Sequence, residues 1–147
     1  GVTGLSGGLL EFADFFALMP GDNAATVAAG AAVQFPQDGP LNGSITRISP
    51  STFDLAIVGT YEVFFQVSVT EAGQLVINLN GTELLETTVG RATGTSQLVG
   101  SAIITTTLPN SVLSINNPAG NTTALTITPL AGGTLSASAH LIIKRIQ

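Results

Sequence analysis

The chain has 147 residues, of which 44% are hydrophobic and only 9% charged, against roughly 25% charged in ordinary globular domains. Its formal net charge is −5, and the four basic residues, Arg47, Arg91, Lys144 and Arg145, are too few to make the clustered positive field that nucleic-acid binding needs. Without cysteine there is no disulfide framework and no thiolate metal site, and despite a mean hydropathy of +0.48 no apolar run reaches the roughly 18 residues of a membrane span.

This length suits one domain with a substantial core. The polar remainder is Thr, Ser, Asn and Gly, which favours strands and turns over helices. So little charge leaves apolar surface to hide, and self-association hides it most simply. No signal peptide is visible, and the chain opens in mid-motif, as expected of a piece of a longer protein.

Taken in order, Gly1, Gly4 and Gly7 space two triplets with Thr3 and Ser6 at the third position, compatible with the end of a collagen-like stalk or with a glycine-rich linker. Residues 1–8 are therefore read as stalk or linker and 9–147 as one folded domain. Leu9 to Met19, with three phenylalanines, reads as a strand stopped by the turn Pro20-Gly21-Asp22-Asn23. Ala24 to Ala32 is ambiguous between helix and strand, and Pro36 to Gly43 reads as a loop. Short strands follow at Ser44–Ile48 and Thr52–Ile57.

The strongest element is Thr60–Thr70. Tyr61, Val63, Phe65, Val67 and Val69 alternate with Glu62, Phe64, Gln66, Ser68 and Thr70, which is the period of a long central strand with one face in a core. Phe64 breaks the pattern, an apolar residue on the wet side. Either that side is partly covered, or the alternation is approximate. Gln74–Leu79 and Thr82–Val89 flank Asn80-Gly81, the strongest hairpin signal in the chain. Strands are expected at Ser96–Thr107, Ser111–Asn116 and Thr134–Ile146, with a further candidate at Ala124–Thr128. In the last long strand Leu135, Ala137, Ala139, Leu141 and Ile143 share one face, and Ser136, Ser138, His140 and Ile142 the other. About ten strands with frequent turns make an all-β sandwich or jelly roll. The weakly polar faces that carry Phe64 and His140 point to a sheet whose outer side meets another copy.

Several stretches together resemble a known family. They are the Gly-X-Thr/Ser start, Phe53 ahead of Gly59-Thr60-Tyr61, Leu79-Asn80-Gly81, Thr105-Thr106-Thr107, Ala139 to Lys144, and Phe15 to Asn23. The chain is similar to the C-terminal domains of bacterial collagen-like proteins, of which the exosporium filament glycoprotein of Bacillus spores is the best-known type. Those domains belong to the superfamily of tumour necrosis factor and the complement globular head. Val63 stands where the complement-type aromatic signature usually has Phe.

The resemblance implies a jelly roll of two five-stranded antiparallel sheets, assembled as a homotrimer on a collagen triple helix at a spore (exosporium) or cell surface. It also implies O-linked sugars on Thr3 and Ser6. On this reading Glu62, Phe64, Gln66, Ser138, His140 and Ile142 face the trimer interface. Phe53, Tyr61, Val63, Phe65, Val67, Val69, Leu141 and Ile143 fill the sandwich core. Glu62 has Arg91, Lys144 or Arg145 of a neighbour as candidate partners, or lies at the edge.

No catalytic constellation is apparent. His140 is the only histidine, Ser138 lies two residues away, and no carboxylate can be assigned as the third member of a hydrolytic triad. The nine acidic residues show no Ca²⁺-loop spacing, so no cofactor or metal is expected. Asn42, Asn80 and Asn121 match the N-glycosylation pattern, but in a bacterial protein they are turns. The leading expectation is a non-catalytic trimerising tip that presents an adhesion surface. The alternatives are a module that binds a host matrix protein or glycan, and a bacteriophage tail-fibre knob.

Overall fold

The computed structural model describes residues 9–147, so Thr3, Ser6 and the glycine-spaced start lie outside the described residues. Ten strands are present: β1 (Glu11–Leu18), β2 (Gln37–Asn42), β3 (Ile45–Ser49), β4 (Thr52–Leu55), β5 (Thr60–Val69), β6 (Gly73–Leu79), β7 (Thr82–Arg91), β8 (Ser96–Thr105), β9 (Ser111–Asn116) and β10 (Ala137–Arg145). They form two five-stranded antiparallel sheets, ordered β2-β1-β10-β5-β8 and β3-β4-β9-β6-β7. The chain crosses repeatedly between the sheets, which makes the sandwich a jelly roll.

The alternation in each strand builds the space between the sheets. The inward row Phe15–Leu141–Phe65–Gly100 crosses β1, β10, β5 and β8, with Ala13–Ile143–Val63–Ala102 and Ala17–Ala139–Val67–Leu98 on either side. Phe53, Leu55, Leu75, Ile77, Leu113 and Ile115 meet them from the other sheet, and Phe15 packs on Phe53 with ring centroids 4.5 Å apart. Tyr61, Val63, Phe65, Val67 and Val69 are all buried, and burying each such side chain is worth about 1.5–3 kcal/mol. The Tyr61 hydroxyl donates to the Ile57 carbonyl at 2.5 Å. Burial, then the nearby Glu11 carboxylate, holds the phenol above its ordinary range.

Three expectations are corrected. Pro36 to Gly43 is largely the edge strand β2, not a loop. An edge tolerates Pro40, which has no N–H to give, and Gly39 leaves room for the Asp14 side chain, 2.9 Å from where a Cβ would stand. Arg47 clamps this edge by donating to the Phe35 and Gln37 carbonyls and pairing with Asp38, its guanidinium 4.9 Å from the Phe15 ring centroid. Residues 124–128 form no strand. They make single bridges to Val27 and Val69, and Leu125 and Ile127 still reach the core.

The third correction concerns the last strand, which begins at Ala137 and leaves Leu135 83% exposed. Between Ala17↔Ala139 and Leu18↔Ala137 the pairing skips one residue of β10, so Ser138 is the extra residue of a β-bulge. It is buried, 3% exposed, with its hydroxyl within hydrogen-bond distance of the carbonyls of Pro129 at 3.4 Å and Ser136 at 3.3 Å. It lines a small hollow with Gln66 and His140 but offers almost no exposed surface of its own.

Both ends of the described chain meet at one end of the sandwich. Leu10 N–H bonds Arg145 O at 3.0 Å, and Thr60 N–H bonds Gln147 O at 2.9 Å. β5 runs away from there, so its last residues, the start of β6 and the paired end of β7 lie at the far end.

Candidate interface on the outer face of the first sheet

Residues between the core positions of β1, β10, β5 and β8 form three outward rows: Phe12–Lys144–Glu62–Ile103, Asp14–Ile142–Phe64–Ser101 and Phe16–His140–Gln66–Val99. Half of these twelve side chains are large and apolar. Ile103 is 65% and Val99 47% exposed, while Phe12, Phe16, Phe64 and Ile142 are half-buried. An antiparallel sheet facing water is polar on that side. Phe64 sits centrally, in the floor of a depression of about 280 Å³ shared with Glu62, Ser101, Ile142 and Lys144.

The four ionisable groups on this face pair with each other within the chain. Lys144 Nζ lies 3.7 Å from Glu62 Oε1 across the β10–β5 pair, and His140 Nε2 is hydrogen-bonded to Asp14 Oδ1 on β1. The imidazole also leans on the Phe16 ring, with centroids 5.7 Å apart. What is left is an apolar surface whose polar groups are paired among themselves, suited to being covered by protein.

Of the residues expected at an interface, Glu62, Phe64, Gln66, His140 and Ile142 share this face, and Ser138, buried, lines a small hollow beside Gln66 and His140. Glu62 finds Lys144 of its own chain. Arg145 instead pairs with the buried Glu11 at 3.4 Å, beside the Ser44 hydroxyl. Phe53, Leu141 and Ile143 lie between the sheets with the β5 row.

Asp14 was missed as the partner of His140. The two are 126 positions apart, and only the β1–β10 pairing brings them together. With Asp14 in place, two members of a hydrolytic triad meet. The Ser138 hydroxyl, however, is hydrogen-bonded to two backbone carbonyls and not to the imidazole, so the two do not form the serine–histidine contact of such a triad. No group of three or more His, Asp or Glu side chains among the described residues is placed to hold a metal ion. No helix among them is long and apolar enough to cross a membrane.

Along one side of the sandwich the edge strands β7 and β8 of the two sheets lie against each other. Leu85 on β7 and Ile103 on β8 are the most exposed large apolar residues there.

No family model and no curated protein matches the chain. Solved structures do. The globular domain of zebrafish complement 1qA protein matches with TM-score 0.59 and 15% identity, covering 91% of this chain and 93% of that one. Murine APRIL gives TM-score 0.63 and 11% identity over 92% and 98% of the two chains. The PRD1 vertex protein P5 gives 0.63 and 17% over 95% and 99%. Identities this low speak for the fold alone: a jelly roll of the tumour necrosis factor and complement-head type.

Proposed function

We propose that this domain is a non-catalytic head that joins three copies of its chain and forms the tip of a collagen-like filament on a spore or cell surface. The observation that carries this reading is the outer face of the first sheet, apolar at its centre and with its ionisable groups paired within the chain. This face packed on a different surface of the next copy would be a head-to-tail contact. Such a contact closes into a ring when the rotation per copy is a third of a turn. Three heads match the three chains of a collagen stalk, and the Gly-X-Thr/Ser start of the sequence supports such a stalk.

The head would nucleate the stalk by bringing three chain ends together in register. The test compares a Gly-X-Thr stalk fused to the domain with the same stalk alone. Circular dichroism should report a cooperatively melting triple helix only in the fusion. A stalk that winds equally well without the domain contradicts the proposal. A viral vertex or tail-fibre knob is the second reading, for which the PRD1 vertex protein is a precedent in fold. It shares the threefold head and differs in what lies upstream.

A further inference from the structure

Three of the four basic side chains are committed: Arg47 to Asp38, Lys144 to Glu62 and Arg145 to Glu11. Arg91 alone has no carboxylate partner among the described residues. It stands at the end of β7, paired with Gly73, on the wall of a wide, shallow cleft of about 690 Å³. A shallow, polar cleft of that breadth has room for a sugar ring and its neighbours. The start of β6, the end of β7 and the loop 120–123 line it.

The lining is chemically selective. Gln74, Asn121, Thr122 and Thr123 supply neutral donors and acceptors, and the Asn121 amide donates to Gln74 Oε1 at 3.3 Å. No carboxylate lines the cleft, although the chain carries nine. Glu71 and Glu83 are engaged elsewhere. Glu71 accepts from Thr126 N–H, the Thr126 hydroxyl and the Thr70 hydroxyl, and Glu83 accepts from Ala119 N–H. No aromatic ring offers a stacking platform, so flat aromatic ligands are poorly served.

We infer that this cleft binds a carboxylate-bearing saccharide. The Arg91 guanidinium takes the carboxylate through its two parallel N–H groups, and the amides and hydroxyls of Gln74, Asn121 and Thr123 take the sugar hydroxyls. The cleft lies at the end of the sandwich away from Leu10 and Gln147, facing outward if a stalk enters at residue 9. It is built from one chain, so its test is independent of whether the trimer forms.

The test is an NMR titration of the ¹⁵N-labelled chain with D-glucuronate and with a glucuronate-containing tetrasaccharide. Expected are saturable shifts of the Gly73, Gly90–Ala92 and Gly120–Thr123 amides, with the tetrasaccharide binding tighter. Arg91→Gln should weaken binding about tenfold or more while the rest of the spectrum stays folded. Gly120→Leu should block the cleft, since a Cβ there meets nothing within 4 Å and the fold can accept it. No saturable shift with either probe overturns the assignment. So does undiminished binding by Arg91→Gln, or an equal response to the neutral methyl glucoside. Tighter binding of glucose 6-sulfate than of glucuronate would move the ligand class to sulfated sugars and overturn the carboxylate assignment.

Discussion

The two sheets of this sandwich have the same strand number and share one core, yet their outer faces differ. On the second sheet the outward positions include Thr46, Asp54, Ser114, Asn78 and Glu83, with Val112 among them. Their polar groups are tied locally: Asn110 donates to Asp54 at 3.0 Å, and the Ser114 hydroxyl lies 2.6 Å from Asn116 Oδ1. The first sheet presents Phe12, Phe16, Phe64, Ile142, Val99 and Ile103 around the Lys144–Glu62 and His140–Asp14 pairs. One face is polar at its centre, with Ile48 and Leu85 exposed only on its edge strands, and the other is apolar at its centre. The low charge content of the whole chain is thus concentrated in its consequences on one side.

The sharpest way to break this contrast is a charge at its centre. Phe64→Asp should convert the assembled domain to monomer at micromolar concentration, read by light scattering, while Val112→Asp on the opposite face leaves the assembly intact. A change inside the shared core should spare neither face. A Cβ on Gly100 would stand 2.2 Å from Cζ of the Phe65 ring, so Gly100→Ala should cost about 3 kcal/mol in a denaturant melt.

A smaller effect separates pairing from packing on the first face. Asp14→Leu leaves His140 without its acceptor and should weaken association by about 1–3 kcal/mol. The double change Asp14→Leu with His140→Leu should restore it, because replacing both partners of a covered pair by apolar groups is close to neutral. A dilution series followed by sedimentation distinguishes the three proteins.

The smallest effect lies off both faces. Burial raises the Glu71 carboxyl, but hydrogen bonds from the Thr126 hydroxyl and N–H and from the Thr70 hydroxyl outweigh it and hold the carboxyl below its ordinary range. A group depressed in the folded state stabilises fully above its unfolded value and loses that contribution as pH falls through its folded value. Glu71→Gln should therefore cost on the order of 1 kcal/mol at neutral pH, and the gap to the parent protein should close in acid. A pH series of thermal melts checks it.

The strands that were legible from the residues are those where side-chain period and turn chemistry agree. β5 carries five inward apolar residues in alternation, and Asn80-Gly81 closes the β6–β7 hairpin with both residues at positive φ. What escaped the sequence depends on non-local pairing. β2 contains Gly and Pro because it is an edge, and only its partners Asp14 and Arg47 reveal it as a strand. Ser138 reads as an exposed outer-face residue in the alternation and is buried in the fold, where the bulge against β1 adds a residue no local pattern announces. The interface face shows the same divide. Phe64 signalled a covered side from one strand alone, whereas the Asp14–His140 pair needed two strands from opposite ends of the chain.

If the first sheet's outer face is covered by a second and a third copy of this chain, sedimentation equilibrium of the domain at micromolar concentration should give one species of three-chain mass, turned into single chains by Phe64→Asp. A single-chain mass for the unaltered protein at that concentration would contradict it.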